Sequence, residues 1–183
     1  MATVRLMLVG HGRCGKDEAG IWFGKNTTLK FAGTTSKYLC PFVAEHLGIP
    51  EHEAYQRRHE TGMREVWWDI GKRVRFNDPG VLLRKAFEHG DVSGGVRDYE
   101  EAVRAHDHCD LVIWIERDVP KDPTLEFDSS MADIVIENLW GIPEYHKKLE
   151  ALAKCLGVMK GVCCGQDRPC RSNRRCSKQP EAS

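Results

Sequence analysis

The passage from Val4-Arg5-Leu6-Met7-Leu8-Val9 into Gly10-His11-Gly12-Arg13-Cys14-Gly15-Lys16-Asp17 restricts the fold of this chain more than any other stretch. The apolar run reads as a buried strand, and the glycines that follow it mark a tight turn. The spacing of Gly10, Gly15 and Lys16 suits a loop whose backbone N–H groups close on phosphate oxygens while the lysine reaches the outer phosphates. Asp17 to Phe23 is able to open a helix, and a helix N-terminus favours the same anion. An ordinary strand-to-helix turn is the alternative. Asp17 stands where a Ser or Thr hydroxyl normally holds magnesium. Its carboxylate can ligate that ion directly or through water, or cap the helix.

Later segments alternate in the same manner. Strands are expected near 4–9, 29–32, 91–95, 111–115 and 133–137, with Leu111-Val112-Ile113-Trp114-Ile115 apolar at every position, as a strand covered on both faces requires. Helices are expected over Lys37 to Leu47, Val81 to His89, Asp98 to Ala105 and Pro143 to Leu156, giving a three-layer α/β domain with a five-stranded parallel sheet. Ligands of such sheets bind at the carboxyl ends of the strands. The turn Gly33-Thr34-Thr35-Ser36 lies at one of these ends, so Thr34, Thr35 and Ser36 are substrate-binding candidates, with helix capping as their alternative role.

Residues 51–76 read as one helical, polar and aromatic stretch containing Arg57-Arg58-His59, Arg64, Trp67-Trp68-Asp69, Lys72-Arg73 and Arg75. Arg58, Arg64 and Trp68 follow a near-helical repeat that can line one cleft, with arginine forks for phosphate and an indole face for a base. A solvated helix packing Trp67 and Trp68 inward is the plainer reading. Gly94-Gly95 opens space at a strand end, and Arg97 beyond it is placed to reach a transferred phosphate or to pair with Glu100 or Glu101. Residues 119–130 form a short connection with Pro120 and Pro123.

The formal net charge is zero, so overall electrostatics announces no nucleic-acid partner. Residues 160–183 nevertheless carry six Lys or Arg against two Asp or Glu, and read as a flexible basic tail after a domain spanning 1–159. Cys14, Cys40, Cys109 and Cys155 lie among core elements and are expected as reduced thiols. Cys163, Cys164, Cys170 and Cys176 cluster in the tail without the spacing of paired zinc knuckles, leaving a zinc site open. No stretch approaches the length needed to span a membrane, and no leader is visible at the N-terminus, so a cytoplasmic location is expected.

Gly15-Lys16-Asp17 resembles the Gly-Lys-Asp variant of phage deoxynucleoside monophosphate kinases, a branch of the P-loop kinases. Residues 33–36, Arg58-His59-Glu60-Thr61-Gly62-Met63-Arg64-Glu65-Val66-Trp67, Gly94 to Glu101 and Leu111 to Glu116 extend the likeness over about residues 4–156. Together they look most like the phage kinases that phosphorylate 5-hydroxymethyluracil in DNA, a step of thymidine hypermodification that evades restriction. The resemblance implies a helical substrate-binding insertion at about 49–77, a reduced lid, ATP as co-substrate and Mg²⁺. The partner it implies is DNA containing 5-hydroxymethyluracil, within the host cytoplasm. A kinase of free deoxynucleoside monophosphates and a nucleotide-binding module without turnover remain alternatives.

On this reading Gly10 to Asp17 bind ATP, Asp17 holds the metal, and Lys16, Asp17 and Arg97 are catalytic. Thr34, Thr35, Ser36, Arg58, Arg64, Trp67 and Trp68 bind the acceptor. Asp69, Asp91 and Asp98 are the candidates for a general base.

Overall fold

The structure, a computed structural model, describes residues 3–161; the tail cysteines Cys163, Cys164, Cys170 and Cys176 lie outside the described residues. Its centre is a five-stranded, wholly parallel sheet in the order β2-β3-β1-β4-β5. The strands are β1 (Leu6–Val9), β2 (Phe31–Thr34), β3 (Val92–Gly94), β4 (Leu111–Glu116) and β5 (Ile134–Glu137). Seven helices accompany them: α1 (Lys16–Asn26), α2 (Thr35–Leu47), α3 (Glu51–Arg57), α4 (Met63–Arg75), α5 (Val81–His89), α6 (Tyr99–Ala105) and α7 (Ile142–Cys155).

Alternation along each strand assigns the two faces. Leu6, Leu8, Ile113 and Ile115 pack with Phe23 of α1 and with Tyr145 and Leu149 of α7. The intervening Met7, Val9, Val112 and Trp114 pack with Leu83 and Phe87 of α5 and Ala102 of α6. Successive side chains of a strand point to opposite faces, so an all-apolar strand is one that is covered twice. A third cluster, built from Val43, Ala54, Trp67 and Ile70, joins α2, α3 and α4 and reaches Leu82 of α5.

Two expectations need correction. The second strand is Phe31–Thr34 rather than 29–32, so Gly33 and Thr34 belong to the sheet and α2 starts at Thr35. Lys30 is held by Asp91, whose Oδ2 accepts its backbone N–H at 2.9 Å, and pairing with β3 begins at Phe31. Residues 51–76 are two helices and not one. Between them Gly62 sits at φ 79°, a left-handed conformation that ends one helical path and lets α4 begin on another.

Cys14, Cys40, Cys109 and Cys155 are free thiols. No helix among the described residues is long and apolar enough to cross a membrane. Because β1 has β3 on one side and β4 on the other, its carboxyl end opens on a crevice. Gly10, Gly94 and Glu116 stand around it at the strand ends.

Candidate active site

The loop after β1 is fixed from outside. Gly10 and Gly15 have φ of 133° and 105°, values that a side chain strongly disfavours, and a Cβ at Gly15 would stand 2.5 Å from Asn138 Nδ2. That amide approaches so closely because Asn138, just beyond β5, donates to the Cys14 carbonyl at 2.8 Å. The Tyr145 hydroxyl donates to the Gly15 carbonyl at 3.1 Å. Such bonds contribute about 1 kcal/mol each, and here they hold the loop carbonyls outward. The backbone N–H groups of His11, Gly12, Arg13 and Gly15 donate to no carbonyl among the described residues. A cluster of unengaged amides at the start of α1 is the arrangement that binds an anion.

Lys16 lies folded into this loop. Its ammonium donates to the carbonyls of Gly10 at 2.7 Å and His11 at 2.6 Å, with Cys14 Sγ at 3.4 Å. Burial lowers its pKa, with Cys14 opposing and Arg97 adding to the effect. Asp17 occupies the first turn of α1 and is exposed; the cap position belongs to Gly15, so the capping role drops out.

Next to the loop lies Asp122, which sequence reasoning missed. It comes from the connection after β4, and its side chain is 2% exposed. Arg64 of α4 donates to its Oδ2 at 3.0 Å, and Arg97 makes a second ion pair to the same oxygen. The Thr124 backbone N–H and hydroxyl donate to Oδ1 at 3.1 and 2.7 Å, while the Asp122 backbone N–H donates to His11 Nδ1 at 3.2 Å. Burial opposes ionisation, but Thr124 and Arg97 outweigh it and bring the carboxyl down to about 2. A Cβ on Gly12 would lie 3.3 Å from Asp122 Oδ2 and 3.5 Å from Arg64 Nη2, so this ion cluster borders the loop directly. The available signal was Asp-Pro-Thr, an acidic residue whose side chain turns back on the backbone two positions later.

A cleft with about 640 Å³ of free space, open to solvent, is lined by Thr124, Arg97, Trp68 and Arg75 among others. Thr35, Ser36, Arg58, Arg64, Trp67 and Trp68 of the expected site line it, and Thr34 does not. Thr34 occupies the N-cap position of α2 without a side-chain capping bond. Arg58 reaches the cleft from the C-terminal end of α3, its guanidinium 3.9 Å from the centre of the Tyr55 ring. The near-helical repeat of Arg58, Arg64 and Trp68 is therefore not what assembles them; the turn at 58–62 is. His59 is held below the ordinary histidine range by desolvation and by the guanidiniums of Arg58, Arg64, Arg13 and Arg97.

The two tryptophans differ. Trp67 is 7% exposed and packs edge-on to Tyr55, whereas Trp68 is half-buried with Lys72 Nζ 4.8 Å from its ring. Arg97 pairs with Asp122 and not with Glu100 or Glu101. Asp69 is exposed on α4, Asp91 accepts from the Lys30 backbone, and Asp98 caps α6 by accepting from Glu100 and Glu101. None of these three carboxylates lines the cleft.

Among the described residues no group of three or more His, Cys, Asp or Glu side chains is disposed to hold a metal ion by itself. The exposed Asp17 carboxylate beside the amide cradle does fit a magnesium ion that arrives on a triphosphate, since a hard cation takes phosphate and carboxylate oxygens together.

No protein-family profile matches the chain. No curated protein matches it either. Among solved structures it is similar to shikimate kinase from Bacteroides thetaiotaomicron, with 16% identity and a TM-score of 0.42 over 86% of this chain and 100% of that one. It is also similar to shikimate kinase from Aquifex aeolicus, with 16% identity and a TM-score of 0.38 over 84% and 99% of the respective chains. At these scores the likeness carries no functional argument, and the α/β architecture rests on the sheet itself.

Proposed function

We propose that the protein is an ATP-dependent kinase that phosphorylates the hydroxymethyl group of 5-hydroxymethyluracil in phage DNA. The step belongs to thymidine hypermodification, which protects a viral genome from restriction. One observation carries the phosphoryl-transfer part of this reading: Arg64 and Arg97 converge on the buried Asp122 carboxylate beside a cradle of unengaged amides and Lys16. Phosphoryl transfer asks a protein for positioning and for cations around the equatorial oxygens, and this is where the cations are. The acceptor part rests on the sequence resemblance, together with an indole face lining the same cleft.

In this mechanism the amides of His11, Gly12, Arg13 and Gly15 take the β- and γ-phosphate oxygens, and Lys16 exchanges its two loop carbonyls for phosphate. Asp17 would hold a magnesium ion, which would supply positive charge against the phosphates. Arg97 and Arg64 turn from Asp122 toward the transferring group. The attacking primary alcohol comes from the side of Trp68 and Arg58. A base within duplex DNA must leave the stack to arrive there, and an aromatic platform compensates part of that cost.

The cluster of Arg13, Arg58, Arg64 and Arg97 around His59 favours a second reading, because it holds more cations than one transferring group requires. A free deoxynucleoside monophosphate would bring its own 5′-phosphate to Arg58. γ-Labelled ATP separates the readings. Label in polymeric DNA containing 5-hydroxymethyluracil supports the first, label in free diphosphates supports the second, and ATP binding with no transfer leaves a nucleotide-binding module. Failure to retain ATP with magnesium at millimolar concentration overturns all three.

A further inference from the structure

The cleft wall contains a buried cation to which the proposed phosphoryl transfer assigns no role. Arg75, the last residue of α4, is 8% exposed yet lines the cleft beside Trp68. Two acids stand behind it: Asp98 Oδ2 is 3.8 Å from Nη2 and Glu101 Oε2 is 3.5 Å from Nη1. Both distances are too long for strong charge-assisted hydrogen bonds. The Arg75 Nε and both Glu101 carboxylate oxygens lack hydrogen-bond partners among the described residues. Glu101 is fully buried, and its burial pushes the carboxyl up to about 8 against the pull of Arg75. The guanidinium is thus only partly neutralised, and its donor capacity is incompletely spent. An under-satisfied buried cation on a cleft wall is expensive to keep unless a ligand completes it.

The surroundings indicate what that ligand is. The Trp68 ring centre is 5.9 Å from the Arg75 Cζ, Leu39 and the Arg75 guanidinium both approach Gly71, and Leu82 lines the same cleft, so the wall at Arg75 has apolar and aromatic neighbours. The carboxylate of Asp98 at 3.8 Å works against a second anion at Arg75, whereas a neutral carbonyl oxygen accepts a hydrogen bond without adding charge. Arg64 and Arg97, which line the same cleft, are already engaged by Asp122, whereas Arg75 is not.

We propose that Arg75 is the specificity-determining residue of the acceptor site: it donates to the C4 carbonyl oxygen of a pyrimidine lying against Trp68, with Asp98 and Glu101 as its positioning residues. The inference rests on reading this cleft as the acceptor site. It assigns preference to a 4-oxo pyrimidine over a 4-amino one, because an amino group at that edge would set donor against donor.

Calorimetric titration tests this without turnover. The ligands are 5-hydroxymethyl-2′-deoxyuridine 5′-monophosphate, its 4-amino counterpart, and single-stranded hexanucleotides carrying either base. The wild type should bind the 4-oxo ring at least tenfold more tightly than the 4-amino ring. Arg75→Lys and Arg75→Met should lose most of that preference through weaker 4-oxo binding, with ATP affinity within twofold. In steady-state assays the same variants should raise the acceptor KM far more than they lower kcat, a split that general misfolding would not produce. Equal affinity of the wild type for the two rings overturns the proposal even if neither variant folds. So does binding of neither ring in either format, or an Arg75 variant that keeps the wild-type preference. Ring preference without label transfer would instead refute the kinase reading and leave the role of Arg75 standing.

Discussion

The phosphate-gripping loop and the arginine pair beside it hold their cations in place differently. Lys16 is bound by carbonyls of its own loop, five and six residues away in sequence. Arg64 and Arg97 are bound by one carboxylate, 58 and 25 residues away. The first arrangement is local and neutral, so an arriving phosphate has only to replace two carbonyls. The second already contains an anion, so an arriving phosphoryl group competes with Asp122 for the two guanidiniums. The loop is therefore built to grip, and the arginine pair to exchange one anion for another.

The sharpest way to break this contrast is to remove the grip. Lys16→Ala should reduce phosphoryl transfer by ~10³-fold, because the ammonium acts on charge that develops at the transferring group. Its melting temperature should stay near that of the wild type, since the ammonium's partners are loop carbonyls that water can reach once it is gone. Full transfer activity in this variant would remove Lys16 from the site. Arg97→Ala should cost less, ~10²-fold in kcat by the same assay, because Arg64 shares its partner. Arg97→Lys should restore little, since a point charge does not reproduce a guanidinium fork. If Arg97→Ala proved as damaging as Lys16→Ala, the two regions would be one functional unit and the contrast would fail.

How far each region was legible in sequence follows from the same difference. Gly10 to Lys16 is recognisable because positive φ at Gly10 and Gly15 favours glycine and Lys16 follows directly, although Arg13 adopts a positive φ of 64° without being glycine. Strands β1 and β4 are recognisable because a strand covered on both faces needs apolar residues on both, whereas β2, with only Phe31 and Ala32 apolar, was misplaced by two residues. Asp122 was not recognisable, for its meaning lies in two arginines contributed by distant elements, and nothing in the local spacing announces their convergence. Arg58 shows the converse: it belongs to the cleft as expected, but it arrives through a turn, not along a helix. Trp67 and Trp68 are adjacent in sequence and differ in exposure because only one of them faces the third core cluster.

Asp122→Asn probes the arginine region from its anionic side. The wild-type carboxyl sits at about 2 against an ordinary 3.8, so its contribution to stability is fully present above pH 4 and is lost as pH falls through 2. The loss should amount to about 2 kcal/mol, read from denaturant unfolding between pH 5 and 2. The Asn variant should lack that portion of the acid dependence. It should also bind inorganic phosphate more tightly than the wild type, because the arginines no longer have an internal competitor. Unchanged or weaker phosphate binding would mean that Asp122 orders the arginines without competing for their ligand.

The smallest effect should appear at His59, and it reports on the same exchange without any mutation. Its imidazole is held low by desolvation and then by Arg58, Arg64, Arg13 and Arg97. A lowered histidine resists protonation, so this residue costs stability as pH falls below its ordinary value near 6.5, instead of adding to it. A bound phosphate would bring negative charge among those guanidiniums and reverse part of their effect. The His59 titration followed by NMR should therefore move upward when phosphate is added, with no comparable movement at His52, which lies outside the cleft lining. An immobile His59 would show that phosphate does not settle among the four arginines, and would leave the loop as the only anion site in the cleft.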